Sequence, residues 1–417
     1  MLAARLAELG QPSVVIDRTG RFGLGVAYST PFEGHLLNVR SNRMSAVDGR
    51  PDDFVQWLEA HRPDLADPED FAPRAVYGRY VQDRLAGMTA RHPGMIERRV
   101  GEVEAVLEGR VRLADGTEVE GKAVVLATGN PSPGTASSEA TRVIRDGWAK
   151  GALDGIGPDD SVLIVGTGLT MVDMLQSLQN KGWQGKAVAL SRRGLLPRAH
   201  GARPDKPAIL PPEAKSGEAS GRMKAARTLA RSAGWREIME AYRPITAQLW
   251  AETGTDVRRR MVRHLRPWWD VHRHRIAERV ADGLERLKAE GRLSVVSGRL
   301  GAVTSDGNGV TATWRPRGGG EAAPLTADWM IDCTGPGHSA ATDPLTAPLI
   351  AAGRARMDPL GLGLDLDEEG RVLNADGAAD PRLLVLGPPA RAAFWETIAV
   401  PDIRKRIENA ARLLSAG

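Results

Sequence analysis

The chain has 417 residues, 42% hydrophobic and 26% charged, which is globular composition with more length than one core usually serves, so two or more domains are expected. Its net charge is only +4 despite heavy arginine use and an isoelectric point near 9.3, and no helix-turn-helix, zinc-finger or RNA-binding-sheet signature accompanies it, so no nucleic-acid partner is expected. The single cysteine, Cys333, excludes a disulfide framework, a paired-thiol redox centre and a cysteine-rich zinc site within the chain. No run of roughly 18 apolar residues offers a membrane span, and the apolar start meets Glu8 rather than a cleavage site, so a cytoplasmic protein is expected.

In chain order, Leu2 to Leu9 is helical and closes on Gly10, with Pro12 just beyond, before the short buried strand Ser13 to Asp17. Asp17 stands where the second strand of a dinucleotide fold ends in an acidic residue that accepts a hydrogen bond from the adenosine ribose, so it reads as an FAD contact. The alternative is that Asp17 caps a turn. The chain opens at Met1 on the helix, so the strand and glycine-rich turn that should precede it are missing from this sequence. The expectation is an FAD domain without its first strand, a genuine start about 10 to 20 residues upstream, and weak retention of FAD.

A possible meander from Ile96 to Glu120, with a turn at Asp115-Gly116, leads to the apolar run Ala123 to Leu126 and then Ala127-Thr128-Gly129. Ser161 to Val165 runs directly into Gly166-Thr167-Gly168 and a helical pattern to about Leu178, the strongest local signal in the chain. The first glycine permits the tight turn, the second lets a pyrophosphate approach, and the backbone N–H groups of Leu169 and Thr170 at the helix start favour its charge. Met171 replaces the third glycine of the fingerprint, which implies looser packing of helix on sheet. An ordinary glycine turn is the competing reading.

The next strand, Ala187 to Leu190, ends in Ser191-Arg192-Arg193, where an NAD site would offer an acidic side chain. Two arginines suit a 2′-phosphate, so NADPH is favoured over NADH, against the alternative of a solvated strand end. From about Glu218 to Glu290 lies an arginine-rich helical insert with Trp235, Trp250, Trp268 and Trp269, entered through the loop Gly201 to Gly217. Within it, His272 and His274 are two apart and cannot share one metal as an i, i+4 pair would, so the Trp268 to Arg275 cluster reads as a packed anchor; no metal is expected. Leu293 to Val296, Gly301 to Trp314 and Trp329 to Cys333 then repeat the earlier order of strand, meander and apolar strand, again ending in Thr334-Gly335. Two related α/β crossovers, each doubly wound around parallel sheet, are the economical reading. Leu383 to Leu386 ends in Gly387, and Pro401-Asp402 opens a helix from Ile403 to Leu414.

The stretches Gly25–Ser29, His35–Ala46, Tyr77–Tyr80, Ala127–Pro131, Arg266–Arg275 and Phe394–Arg404 resemble bacterial FAD/NAD(P)-binding proteins that include the FAD-dependent urate hydroxylases. More distantly they resemble N-hydroxylating and Baeyer-Villiger flavin monooxygenases. The resemblance implies that Asn38, Val39, Met44 and Ser45 lie along the flavin and that Thr128-Gly129 and Thr334-Gly335 are crossings between two nucleotide domains. It also implies that Gly387, Ile398, Pro401 and Asp402 belong to the flavin site, with the helix start facing the pyrimidine ring and stabilising negative charge there. Pro388 stands where related flavoproteins often carry an acidic residue, a departure from the pattern.

These readings give two interleaved Rossmann-like dinucleotide-binding domains with a helical insert. The FAD domain takes residues 1–155 and 326–417, and the NAD(P) domain 156–325 with the insert at about 218–290. The function implied is an FAD-dependent, NAD(P)H-using oxidoreductase, a monooxygenase hydroxylating a small-molecule substrate, with urate a family-based candidate. A flavin reductase or oxidase without oxygen insertion, and an inactive nucleotide-binding protein, are the competing classes. No acid, base or nucleophile is assigned.

Overall fold

The computed structural model describes residues 1–130, 141–202, 208–335 and 339–416; Pro131 and residues 203–207 of the expected entrance loop lie outside the described residues. The first part of the chain carries β1 (Ser13–Asp17), β2 (Ile96–Val100), β3 (Val103–Leu107), β4 (Arg110–Leu113), β5 (Glu118–Glu120) and β6 (Val124–Leu126). β1 and β2 form a two-stranded parallel pair with Ser13 opposite Ile96 and Asp17 opposite Val100. The meander is real but shorter than read, because β2 leaves it to pair with β1 and only β3, β4 and β5 form the antiparallel sheet.

The central sheet is built from β7 (Val143–Ile144), β8 (Val162–Val165), β9 (Ala187–Ser191), β10 (Leu293–Ser305), β11 (Val310–Pro316), β12 (Leu325–Ala327) and β13 (Trp329–Asp332). Its order is β12-β11-β10-β9-β8-β13-β7, parallel from β10 to β7. β10 changes partner along its length: Leu293–Ser297 runs parallel to β9, and from Gly298 on the strand is antiparallel to β11, with a bulge between Leu300 and Val303. All four residues of β8 are buried, as a strand covered on both faces requires.

This sheet moves the domain boundaries. β7 and β13, which the sequence segmentation gave to the FAD parts, are hydrogen-bonded members of the central sheet that holds β8 and β9. Two-residue and four-residue strands carry too little periodicity to be assigned from sequence, so their pairing decided their place. The insert is also shorter than read. The helix Glu278–Ala289 buries Val280, Leu284 and Leu287 in the same core as Ile164 and Ala189, so it is the crossover helix joining β9 to β10, not part of the cap. Met171 gives a further correction: far from packing loosely, it is wholly buried with Val162, Ile164 and Met174, because an unbranched thioether fills an irregular gap between helix and sheet.

The last part of the chain carries β14 (Arg371–Leu373) and β15 (Ala379–Val385), and β15 lies parallel to β6 in a three-stranded sheet. Ile16 of β1 packs on the core under that sheet, beside Leu126 and Val385. The helix Val400–Ser415 starts earlier than read, with Pro401 in its first turn, and Arg5 of the helix Leu2–Glu8 grips its Glu408 at 2.8 Å.

Candidate functional site

The parallel pairing brings the expected nicotinamide residues to one edge. Val165 lies opposite Leu190 and Asp332, so the exits Gly166–Gly168, Ser191–Arg193 and Thr334–Gly335 all leave the carboxyl ends of neighbouring strands. Open α/β sheets bind ligands at that edge. The two glycines of the turn do different work. Gly166 has φ +106°, and a Cβ there would stand 2.3 Å from the Cys333 carbonyl oxygen, so it is the point where two strand exits cross. Gly168 has φ −87° and caps the helix Leu169–Asn180; a Cβ on it would meet no atom of the described residues within 4 Å. Leu169 and Thr170, both half-buried, follow it in the first turn, where backbone N–H groups have no intrahelical acceptor.

Thr167 fixes this turn to the next strand. It is buried, and its hydroxyl sits 2.8 Å from Ser191 Oγ and 2.6 Å from the Leu195 carbonyl oxygen, while the Gly194 N–H donates to Ser191 Oγ at 3.0 Å. Arg192 is exposed and Arg193 half-buried in the loop so held, and neither pairs with a carboxylate among the described residues. Below the helix, Arg74 makes a two-point ion pair with Asp173 at 2.9 and 3.0 Å and donates from Nε to the Leu36 carbonyl. His35 bridges the same parts, from Thr30 Oγ1 to the Asp173 carbonyl and Ser177 Oγ. Burial and nearby Arg74 lower its pKa, against the pull of Asp173, so it is neutral near pH 7.

On the expected flavin side, β6 and β15 are parallel with Leu126 opposite Val385, so Thr128-Gly129 and Gly387 leave the same sheet edge. Gly129, Gly335 and Gly387 have φ of +72°, +84° and +77°, and a Cβ on any of them would meet nothing within 4 Å among the described residues. Such exits let backbone come close to a ligand and fit a bound dinucleotide. Asp17, at the carboxyl end of β1, accepts at Oδ1 from the Thr19 N–H at 2.8 Å and the Thr19 hydroxyl at 2.7 Å. Of the four residues expected along the flavin, Asn38 and Val39 are half-buried, whereas Met44 and Ser45 are 2% and 0% exposed core residues. Ser45 spends its hydroxyl on the Val47 carbonyl, and its own carbonyl takes Arg404 Nη1 at 2.8 Å, which seats the start of the helix Val400–Ser415 on this loop. Ile398 is exposed just before that helix, and Pro401 and Asp402 are half-buried in its first turn.

The side chains that sequence reasoning passed over lie between this helix start and the insert. Glu240 gathers Arg43 and Arg275 from other parts of the chain and Arg243 from three residues further along. Burial alone would raise its carboxyl, but those three guanidiniums outweigh burial and hold it at about 2. Arg273 reaches Glu396 at 3.3 Å and Asp402 at 3.5 Å, and Trp269 donates to Glu396 Oε1 at 2.9 Å. The run Trp268 to Arg275 therefore anchors the insert, as read, but through its charges as much as its rings. Its arginine density was the available signal. Among the described residues there is no group of three His, Cys, Asp or Glu able to hold a metal, and no helix long and apolar enough to cross a membrane.

Residues 1–131 match the family model described as FAD-NAD(P)-binding. No curated protein matches the chain. Solved structures do. Ornithine hydroxylase from Pseudomonas aeruginosa is 17% identical with a TM-score of 0.63, the match covering 100% of this chain and 96% of that one. L-lysine 6-monooxygenase from Pseudomonas syringae is 15% identical with a TM-score of 0.67, over 100% and 96%. The ornithine N-hydroxylase of Kutzneria sp. 744, solved with reduced FAD, NADP+ and L-ornithine, is 14% identical with a TM-score of 0.63, over 99% and 95%. At these identities the likeness shows the fold: this chain has the two-domain architecture of FAD/NAD(P) flavoproteins.

Proposed function

We propose that the chain is an FAD-dependent oxidoreductase that takes hydride from NADPH and hydroxylates a small organic substrate. The observation that carries this reading is the pair of ligand-ready edges: the turn Gly166–Gly168 with Arg192 and Arg193 beside it, and the open exits Gly129 and Gly387 of the sheet joining β6 and β15. When bound, FAD supplies hydride acceptance and oxygen activation. The protein's part is to hold and orient. The N–H groups of Leu169 and Thr170 receive the nicotinamide pyrophosphate, with Gly168 leaving room. Thr167, its hydroxyl engaged with Ser191 and Leu195, keeps that turn rigid rather than touching the ligand. Arg192 and Arg193 grip a 2′-phosphate by charge-assisted hydrogen bonds. The positive end of the helix Val400–Ser415 favours negative charge on a reduced flavin ring. That the fold is shared with ornithine and lysine monooxygenases supports oxygen insertion into a small molecule; urate remains the candidate from the resemblance.

The test is coupling. The purified chain, loaded with FAD, should oxidise NADPH and form one hydroxylated product per NADPH on its true substrate. NADPH oxidation that yields hydrogen peroxide alone with every candidate substrate, urate included, would make it a reductase or oxidase instead.

A further inference from the structure

At the junction of the insert with the amino end of the helix Val400–Ser415, guanidiniums outnumber the carboxylates that face them. Arg43, Arg243, Arg273 and Arg275 meet Glu240, Glu396 and Asp402, four cations against three anions. Arg273 and Arg275 have side chains only 6% exposed, where unbalanced charge is costly. The hydrogen bonding is incomplete on both sides: Glu396 Oε2 and Asp402 Oδ2 are buried without a hydrogen-bonding partner and face Arg273 Nη2 at 3.3 and 3.5 Å, contacts too long to satisfy either. Arg273 Nε and Nη2, Arg243 Nη2 and Arg275 Nε are buried without a hydrogen-bonding partner. Natural structures rarely leave buried donors unpaired without a reason.

The nearby carboxylates are not free to move and satisfy them. Glu240 is committed, at 2.6 Å to Arg275 and 3.0 Å to Arg43. Glu396 is fixed by backbone strain: Trp395 has φ +58° and ψ −58°, the only non-glycine positive φ among the described residues, and the Glu396 N–H closes a γ-turn on the Phe394 carbonyl at 2.6 Å. Stacking of Trp395 on Trp250 at 4.6 Å, with the Trp250 indole donating to the Ala392 carbonyl at 2.8 Å, holds that conformation in place. Burial, with Arg273 and Arg43 close by, pulls the Arg243 guanidinium down to about 10. Arg43, Asp402 and Arg243 are the more exposed members of the cluster, at 30%, 23% and 17% side-chain exposure.

We propose that this junction binds the carboxylate or another anionic oxygen group of a small organic ligand, with Arg273 and Arg243 as its donors. A guanidinium fork matches the planar geometry of a carboxylate, and a ligand anion balances the excess cation. The amino end of a diamine or amino-acid substrate does not suit this place. The inference rests on the oxidoreductase reading only for making that ligand the enzyme's substrate; the anion site itself stands on the side chains.

Titration calorimetry on the full chain tests it, with succinate, benzoate and urate as anionic probes and 1,4-diaminobutane as the cationic control. At least one anion should bind saturably, and Arg273→Gln and Arg243→Gln should each weaken it about tenfold or more, the loss of one charged hydrogen bond. Circular dichroism checks folding, and Arg243→Gln, at the edge of the cluster, decides the matter if Arg273→Gln does not fold. Failure of all three anions to bind, binding that neither variant alters, or binding of the diamine alone overturns the proposal. Flavin content and NADPH oxidation are measured on the same preparation. Arginine-dependent anion binding without NADPH turnover keeps this site and removes the oxidoreductase reading; turnover without anion binding does the reverse.

Discussion

The Thr167 hydroxyl lies 2.8 Å from Ser191 Oγ, and this one contact ties the glycine turn after β8 to the arginine-bearing end of β9. On the proposed reading, a pyrophosphate on the turn and a ribose phosphate at the strand end belong to the same dinucleotide, and this part-buried side-chain bond sets the spacing between them. Replacing Arg192 and Arg193 together by Ala should weaken NADPH by about 1.5 kcal/mol or more for each charged hydrogen bond lost, roughly tenfold apiece, and leave NADH nearly unchanged. Dissociation constants for the two cofactors check this. Equal losses for both would remove the 2′-phosphate assignment.

The two glycines of the turn should separate under mutation. Gly168→Val places its side chain where no atom of the described residues stands within 4 Å, so thermal stability should hold while NADPH binding disappears. Gly166→Ala puts a Cβ 2.3 Å from the Cys333 carbonyl at a residue with φ +106°, and should destabilise the fold by about 3 kcal/mol or more. Melting curves and cofactor titrations on both variants distinguish the roles.

The buried pair of Arg74 and Asp173 joins the first part of the chain to the helix that begins at Gly168. Asp173→Ala leaves a buried guanidinium without its partner and should cost about 3 to 5 kcal/mol in denaturant unfolding. The double variant Arg74→Met with Asp173→Leu should recover a large part of that loss, since two apolar side chains leave no unpaired charge. No recovery would mean that the pair is not the source of the effect.

These results show where the sequence was legible. Periodicity and glycine spacing marked β8, its turn and the following helix, because local chemistry specifies a strand that turns into a helix. The repeated strand, meander and Thr-Gly order was legible for the same reason. Val280, Leu284 and Leu287 carried the period that makes Glu278–Ala289 a sheet-covering helix, a signal masked by the arginines around it. Nothing local marked β7 or the γ-turn at Trp395. Glu240 was invisible too, since Arg43 meets it across 197 positions of sequence and only the tertiary fold makes the pairing.

Acid should act on the junction through Glu240. Its folded pKa is held near 2, below the value of a free glutamate, so it contributes stability above the unfolded pKa that is lost as pH falls through the folded one. Unfolding followed between about pH 5 and pH 2 should show this component in the native chain and lack it in Glu240→Gln. Identical acid profiles for the two would show that the three surrounding arginines do not stabilise the carboxylate.

The central claim is that one chain brings a nicotinamide and a flavin together for hydride transfer. Anaerobic mixing of the FAD-loaded protein with NADPH, followed by the flavin absorbance, tests it most directly. The account predicts that the oxidised flavin band bleaches on mixing, that it returns when air is admitted, and that Gly168→Val abolishes the bleaching while retaining the flavin. A band that persists under excess NADPH in the native chain would contradict it.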